Sequence, residues 1–185
     1  MLGSIGTSEI AGHQIALNII RVSFLPGVAI AEATSVLVGR ALGRRRLDDA
    51  DTATRSGLAM GIAFMALCGL VFATAGEALA RQFSADPEVL TTARRLLLVA
   101  AVFQILDAIN IVLRGALRGA KDVRVVAVMG VLIVWSSLPT CAYVLGRMFG
   151  LGALGGWIGF IVETTLASIL FGLRWRKGGW RSNYT

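Results

Sequence analysis

Residues 56–76 run for twenty-one positions without a charged side chain. A helix needs about 20 apolar residues to cross a bilayer, so a run of this length and purity leaves a chain few other folds. Four further apolar runs accompany it, at residues 10–38, 96–113, 125–146 and 157–173. In lipid every backbone polar group must be satisfied within its own segment, which predicts a helix for each run. The chain reads as an all-α membrane protein with five transmembrane helices. Charged residues make up only 16% of it and the mean hydropathy is +0.73, against about a quarter charged in a soluble domain. The 22 glycines suit close helix approach in lipid.

The net charge of +7 does not point to a nucleic acid. The basic residues cluster beside the apolar runs, as the positive-inside rule places them. Counting Lys and Arg at alternate ends of the runs gives 13 on one side and 4 on the other, with Arg21 inside a run. The richer side is predicted to be cytoplasmic, which puts the N-terminus outside and the C-terminus inside. Membrane lipid is therefore an expected partner, with anionic lipid at Arg114, Arg118, Lys121 and Arg124 as an extra. Residues 1–9 read as an extracytoplasmic lead-in, 10–174 as one lobe, and 175–185 as a basic cytoplasmic tail. The tail's tryptophans are expected at the membrane interface. No signal-peptide pattern stands at the N-terminus. Pro26 and Pro139 fall inside apolar runs and predict kinks. Asp86, Pro87 and Glu88 make a helix start.

Polar residues inside apolar runs are costly and carry the functional information. Asp107 is the foremost. Helical steps of three, four and seven from it reach Phe103, Gln104, Asn110, Ala100 and Arg114, so the helix has one polar stripe. The first run carries another line: Gln14, Asn18, Arg21, Glu32 and Ser35. Arg21 and Glu32 are eleven residues apart, roughly 16 Å along a helix, and each needs a partner elsewhere. Glu163 lies at a depth similar to Asp107 on another helix running the same way. It reads either as a proton or cation site or as a partner for Arg21. His13 stands alone and reads as a packing residue, and Cys68 and Cys141 as small apolar residues. The glycines have no P-loop spacing and no nucleophile–base pair is visible, so neither an enzyme nor a cofactor is expected.

Four segments occur in one order: AGHQIALN at 11–18, LVGRALGRRRLDDA at 37–50, FQILDAINIVLRGALRGAKDVR at 103–124 and GALGGWIGF at 152–160. Together they resemble the multidrug and toxic compound extrusion (MATE) transporters, in the bacterial NorM-like branch. The resemblance implies most of the second six-helix lobe of a two-lobe transporter in the bacterial inner membrane. It implies an antiporter exporting cationic amphipathic drugs in exchange for H⁺ or Na⁺. As a truncated C-terminal part, the chain is expected to be inactive alone and to need an N-terminal lobe or a second chain. Asp107 aligns with the family's cation-coordinating aspartate, and the implied site adds Gln104 and Asn110 as neutral donors, with Glu163. Its only metal is Na⁺ at Asp107. Where several relatives carry a tyrosine this chain has Phe103, which removes one oxygen ligand for Na⁺ and leaves a proton-coupled carboxylate. Arg21 is expected to pair with Asp107 or Glu163, while Gln14, Asn18, Glu32 and Phe103 are expected to line the cavity. Two other functions compete: a membrane scaffold that assembles with another chain, and a lipid-linked precursor flippase of the same superfamily.

Overall fold

The helix start at Asp86 determines where the central element begins. Asp86 is the N-cap and its Oδ1 accepts the Glu88 amide proton at 2.9 Å. Pro87 takes the first helical position, where its missing N–H costs nothing. A computed structural model describes residues 7–143 and 153–181, and among them the fold is all-α. Its helices are α1 (Thr7–Gly43), α2 (Leu47–Ala80), α3 (Pro87–Gly119), α4 (Val123–Tyr143) and α5 (Ala153–Lys177). The lead-in before Thr7, the glycine-rich turn holding Arg147, and the last four residues lie outside the described set. So does the end of the fourth expected span.

The helices are longer than the apolar runs that predict them. α2 begins nine residues before the uncharged run, through Leu47, Asp48 and Asp49. Carboxylates in a first turn favour the helix dipole, so the charged flank stays helical. Pro26 and Pro139 sit inside α1 and α4 without ending either helix. Four helices are long and apolar enough to cross a membrane; the described apolar part of α4, Val123–Ser137, is shorter.

α3 is the centre of the fold. It packs most extensively on α1, then α2, then α5, while α4 leans mainly on α5. Contacts between α1 and α3 advance together along both helices, from Gly12 against Thr92 to Ser23 against Gln104 to Glu32 against Arg118. The two helices therefore run parallel. Their close approach depends on glycine: a Cβ at Gly115 or Gly119 would collide with the carbonyls of Ala31 and Ser35, the use of small residues expected of packed membrane helices. α2 turns a stripe inward that includes Gly57, Gly61, Gly69 and Gly76.

The turns after α1 and α3 share one design. The amides of Arg46 and Asp122 reach back five residues to Ala41 and Leu117, and those of Arg45 and Lys121 reach back three. Arg45 and Lys121 take the left-handed conformation, φ 58° and 60°. This is the Schellman ending, with a basic side chain where glycine is usual.

Buried apolar residues form two clusters, one at each end. One holds Phe72, Leu97, Phe103 and Trp157. The other holds Leu42, Leu117, Phe171, Trp175 and Trp180. The tail tryptophans therefore do not serve as interfacial anchors. Trp180 is 0% exposed and stacks on Trp175 with centroids 4.5 Å apart. Its indole donates to the Trp175 carbonyl at 3.1 Å, a partner that lies inside the protein and needs no headgroup.

Candidate functional site

Asp107 and Asn110 on α3, with Glu163 on α5, lie between the two apolar clusters. α5 is fixed beside α3 there by the Ser168 hydroxyl, which donates to the Leu106 carbonyl at 2.8 Å. Asp107 and Glu163 are both half-buried. Each lies within electrostatic reach of Arg114, and Asp107 also within reach of Glu163. Arg114 is two turns beyond Asp107 on the same face of α3. Its guanidinium stands 5.9 Å from the Phe171 ring centroid, inside cation–π range. One of its nitrogens lies 3.1 Å from where a Cβ on Gly130 would be, so the glycine of α4 leaves room for it.

Asn110 is 6% exposed, and its Oδ1 has no hydrogen-bond partner. Among the described residues no other buried side-chain polar atom lacks one. Such an atom calls for an explanation, and a bound water or ion is one. Asn110 is a helical neighbour of Asp107 at three residues' spacing. No group of three or more His, Cys, Asp or Glu gathers among the described residues, so any cation here would be held by this acidic pair and a neutral oxygen.

Gln104 belongs elsewhere. It is 1% exposed and donates from Nε2 to the Ser23 hydroxyl of α1 at 2.8 Å, and Ser23 donates to the Ile20 carbonyl. It ties α3 to α1 one turn from Asp107. Phe103 is buried against Trp157, ring centroids 6.2 Å apart, and lines no open surface. The Trp157 indole donates to His13 Nδ1 at 3.1 Å, which gives the lone histidine a structural partner.

The expected pairing of Arg21 with Asp107 or Glu163 is absent. Arg21 is exposed on α1 and forms no ion pair among the described residues. Arg114 is instead the cation within electrostatic reach of both carboxylates, without an ion pair to either. Gln14, Asn18 and Arg21 are exposed together on that face. Glu32 pairs with Arg118 of α3.

Two residues outside the expected set matter. Arg114 had a signal, its seven-residue step from Asp107. Asp122 falls within the family-like segment at 103–124, but nothing local marks its partner: it is buried and bound by Arg174 of α5, Nε to Oδ2 at 2.7 Å and Nη2 to Oδ1 at 3.2 Å.

The MatE family model matches residues 1–144 of the chain. Among solved structures, the crystal structure of a MATE point mutant is similar with a TM-score of 0.87 at 16% sequence identity. The match covers 97% of this chain and 40% of that one, so the chain spans about two-fifths of that protein's length.

Proposed function

The chain belongs to the MatE family, and on that premise we propose that it forms the C-terminal lobe of a secondary antiporter, one of the NorM-like bacterial branch that exports cationic amphipathic compounds in exchange for H⁺ or Na⁺. The observation that carries this reading is the acidic pair. Asp107 and Glu163 come from two helices and both lie within electrostatic reach of Arg114, and the unpartnered Asn110 oxygen belongs to a helical neighbour of Asp107.

The charge balance of this group suggests how coupling works. With both carboxylates ionised, two negative charges face one positive charge, and the group carries a net −1. Excess charge between two apolar clusters is costly. Uptake of one H⁺ or one Na⁺ brings the group to neutrality, with Asn110 offering a further oxygen. A change of charge at the contact of α3 with α5 biases two arrangements of those helices, provided that the ion binds one of them better. The exposed polar face of α1, with Gln14, Asn18 and Arg21, is suited to a water-filled path and not to lipid. In this reading it forms one wall of a cavity whose other wall is a second lobe, on the same chain or another, and alternating access is the rocking of the two. The helices cross the inner membrane with the cation-rich end in the cytoplasm.

The test is Asp107→Asn in a transporter that joins this lobe to a first lobe. Asparagine keeps size and hydrogen-bonding reach but removes the charge and the titration. Matched expression with dye efflux reduced to background is the expected result in a drug-sensitive host. Efflux equal to that of the parent protein would mean that Asp107 only joins helices.

A further inference from the structure

By sequence, only four Lys or Arg residues flank the cation-poor ends of the apolar runs: Arg81, Arg94, Arg95 and Arg147. The positive-inside rule accounts for the thirteen at the other end and offers no reason for these. Three of the four, Arg81, Arg94 and Arg95, line a single cleft between the end of α2 and the start of α3. Its volume is about 840 Å³, in the usual range for a small-molecule site of roughly 300–1,000 Å³. Glu77 also lines it and pairs with Arg81 at 2.7 Å. Arg94 and Arg95 form no ion pair among the described residues, so the cleft holds two uncompensated positive charges. The hydroxyls of Ser84 and Thr91 stand in the same wall.

The surface beneath the cleft is apolar. Leu98 lines its floor, and Val102 and Ile105 continue the same face of α3 at steps of four and three; all three are exposed. Across from them on α2, Leu70 and Leu67 are exposed below Glu77. Charge at the helix ends and an apolar strip running from it toward mid-helix is the pattern of one class of molecule. We propose that the cleft is a binding site for an anionic phospholipid, its phosphate held by Arg81, Arg94 and Arg95 and an acyl chain laid along Leu98, Val102 and Ile105. The strip distinguishes a lipid from a free phosphate, which would use the arginines alone. The site faces the membrane beside α2 and α3 and is separate from the acidic pair.

The test uses the intact chain in phosphatidylcholine nanodiscs with a photoactivatable phosphatidylglycerol analogue carrying its label at the headgroup. Labelled peptides are mapped by mass spectrometry. Labelling of the 77–98 segment should saturate and be competed by unlabelled phosphatidylglycerol but not by inorganic phosphate. Removing the two uncompensated charges with Arg94→Gln and Arg95→Gln should weaken labelling there roughly 30-fold. Labelling of the 40–55 segment, at the opposite end, should not change. The unmodified chain carries the mapping on its own: no saturable label at 77–98, or equal competition by inorganic phosphate, overturns the proposal. So does a double variant that labels as strongly as the parent.

Discussion

At the cation-rich end Asp122 receives two hydrogen bonds from Arg174, and Asp51 receives one each from the Trp175 indole at 3.1 Å and from Arg181 at 2.8 Å. Midway along the helices Asp107 and Glu163 share the field of Arg114, and neither forms an ion pair or accepts a side-chain hydrogen bond among the described residues. Both regions set carboxylates against arginine beside α5. In the first, Asp122, Arg174, Asp51 and Arg181 each have a fixed partner at bonding distance, and the group behaves as a clasp holding the segment after α5 and the end of α5 to α2 and to the turn after α3. In the second, the charges are close enough to feel one another and too loosely bonded to satisfy one another. A fully bonded group has little left to offer an arriving ion. A partly bonded one can exchange partners, and the unpartnered Asn110 oxygen beside Asp107 is part of that difference.

The clasp should fail as structure. Trp180 is completely buried and stacked on Trp175, so Trp180→Ala removes a large side chain from a packed site and is expected to cost about 3–5 kcal/mol. Thermal unfolding followed by size-exclusion in detergent measures it. Efflux per folded molecule, in a transporter assembled with a first lobe, should stay at the parent level. If the variant is as stable as the parent but transports less, the clasp is part of the moving machinery and the contrast between the two regions is lost.

The acidic pair should fail as function. Arg114→Gln leaves two carboxylates with no cation in reach, and uptake of one H⁺ or Na⁺ then leaves the group at a net −1 instead of neutral. Coupled efflux is expected to fall roughly tenfold, equivalent to about 1.4 kcal/mol, with melting temperature nearly unchanged because Arg114 makes no close ion pair to lose. Arg114→Lys, which keeps the charge, should recover part of the activity. Loss of folding in Arg114→Gln with full activity in the surviving fraction would place Arg114 among the structural charges.

How visible each region was in the sequence follows from how far apart its residues lie. The helices were legible because hydrophobicity repeats locally, and the start of α3 because Asp86 and Pro87 act within one turn. The polar stripe at Asp107 was legible for the same reason. Arg114 was on that stripe, but it also opens a basic run with Arg118 and Lys121 that topology alone explains, and its contact with Phe171 of α5 has no local trace. The stripe also misled: one turn of helix separates Gln104 from Asp107, yet the rotation is enough to aim Gln104 at Ser23 of α1. The clasp was illegible. Asp122 and Arg174 are 52 residues apart and Asp51 and Arg181 130, and only packing brings them together. The tail's tryptophans have the composition of a membrane anchor, and nothing in their order says that α5 folds them inward.

A third charge pair falls between these extremes and should give the smallest effect. Glu32 and Arg118 join α1 to α3, beside the place where Gly115 and Gly119 meet the carbonyls of Ala31 and Ser35. The pair could be what holds the helices together, or it could follow from a contact that the glycines already impose. Exposure decides between these: the side chains of Arg118 and Glu32 are 41% and 55% exposed, and ion pairs so open to solvent contribute roughly 0–1 kcal/mol. The backbone approach at the glycines does not depend on charge. Glu32→Gln keeps length and a hydrogen-bonding oxygen while removing the charge, so the melting temperature should drop by no more than a few degrees. Raising the salt concentration should shrink the difference from the parent further, since exposed pairs are screened. Efflux should be unaffected, because Glu32 is engaged by Arg118 and forms no ion pair with Arg114, the cation of the acidic pair. A large, salt-insensitive loss of stability would mean that the Glu32–Arg118 pair, and not the glycine contact, sets the α1–α3 interface.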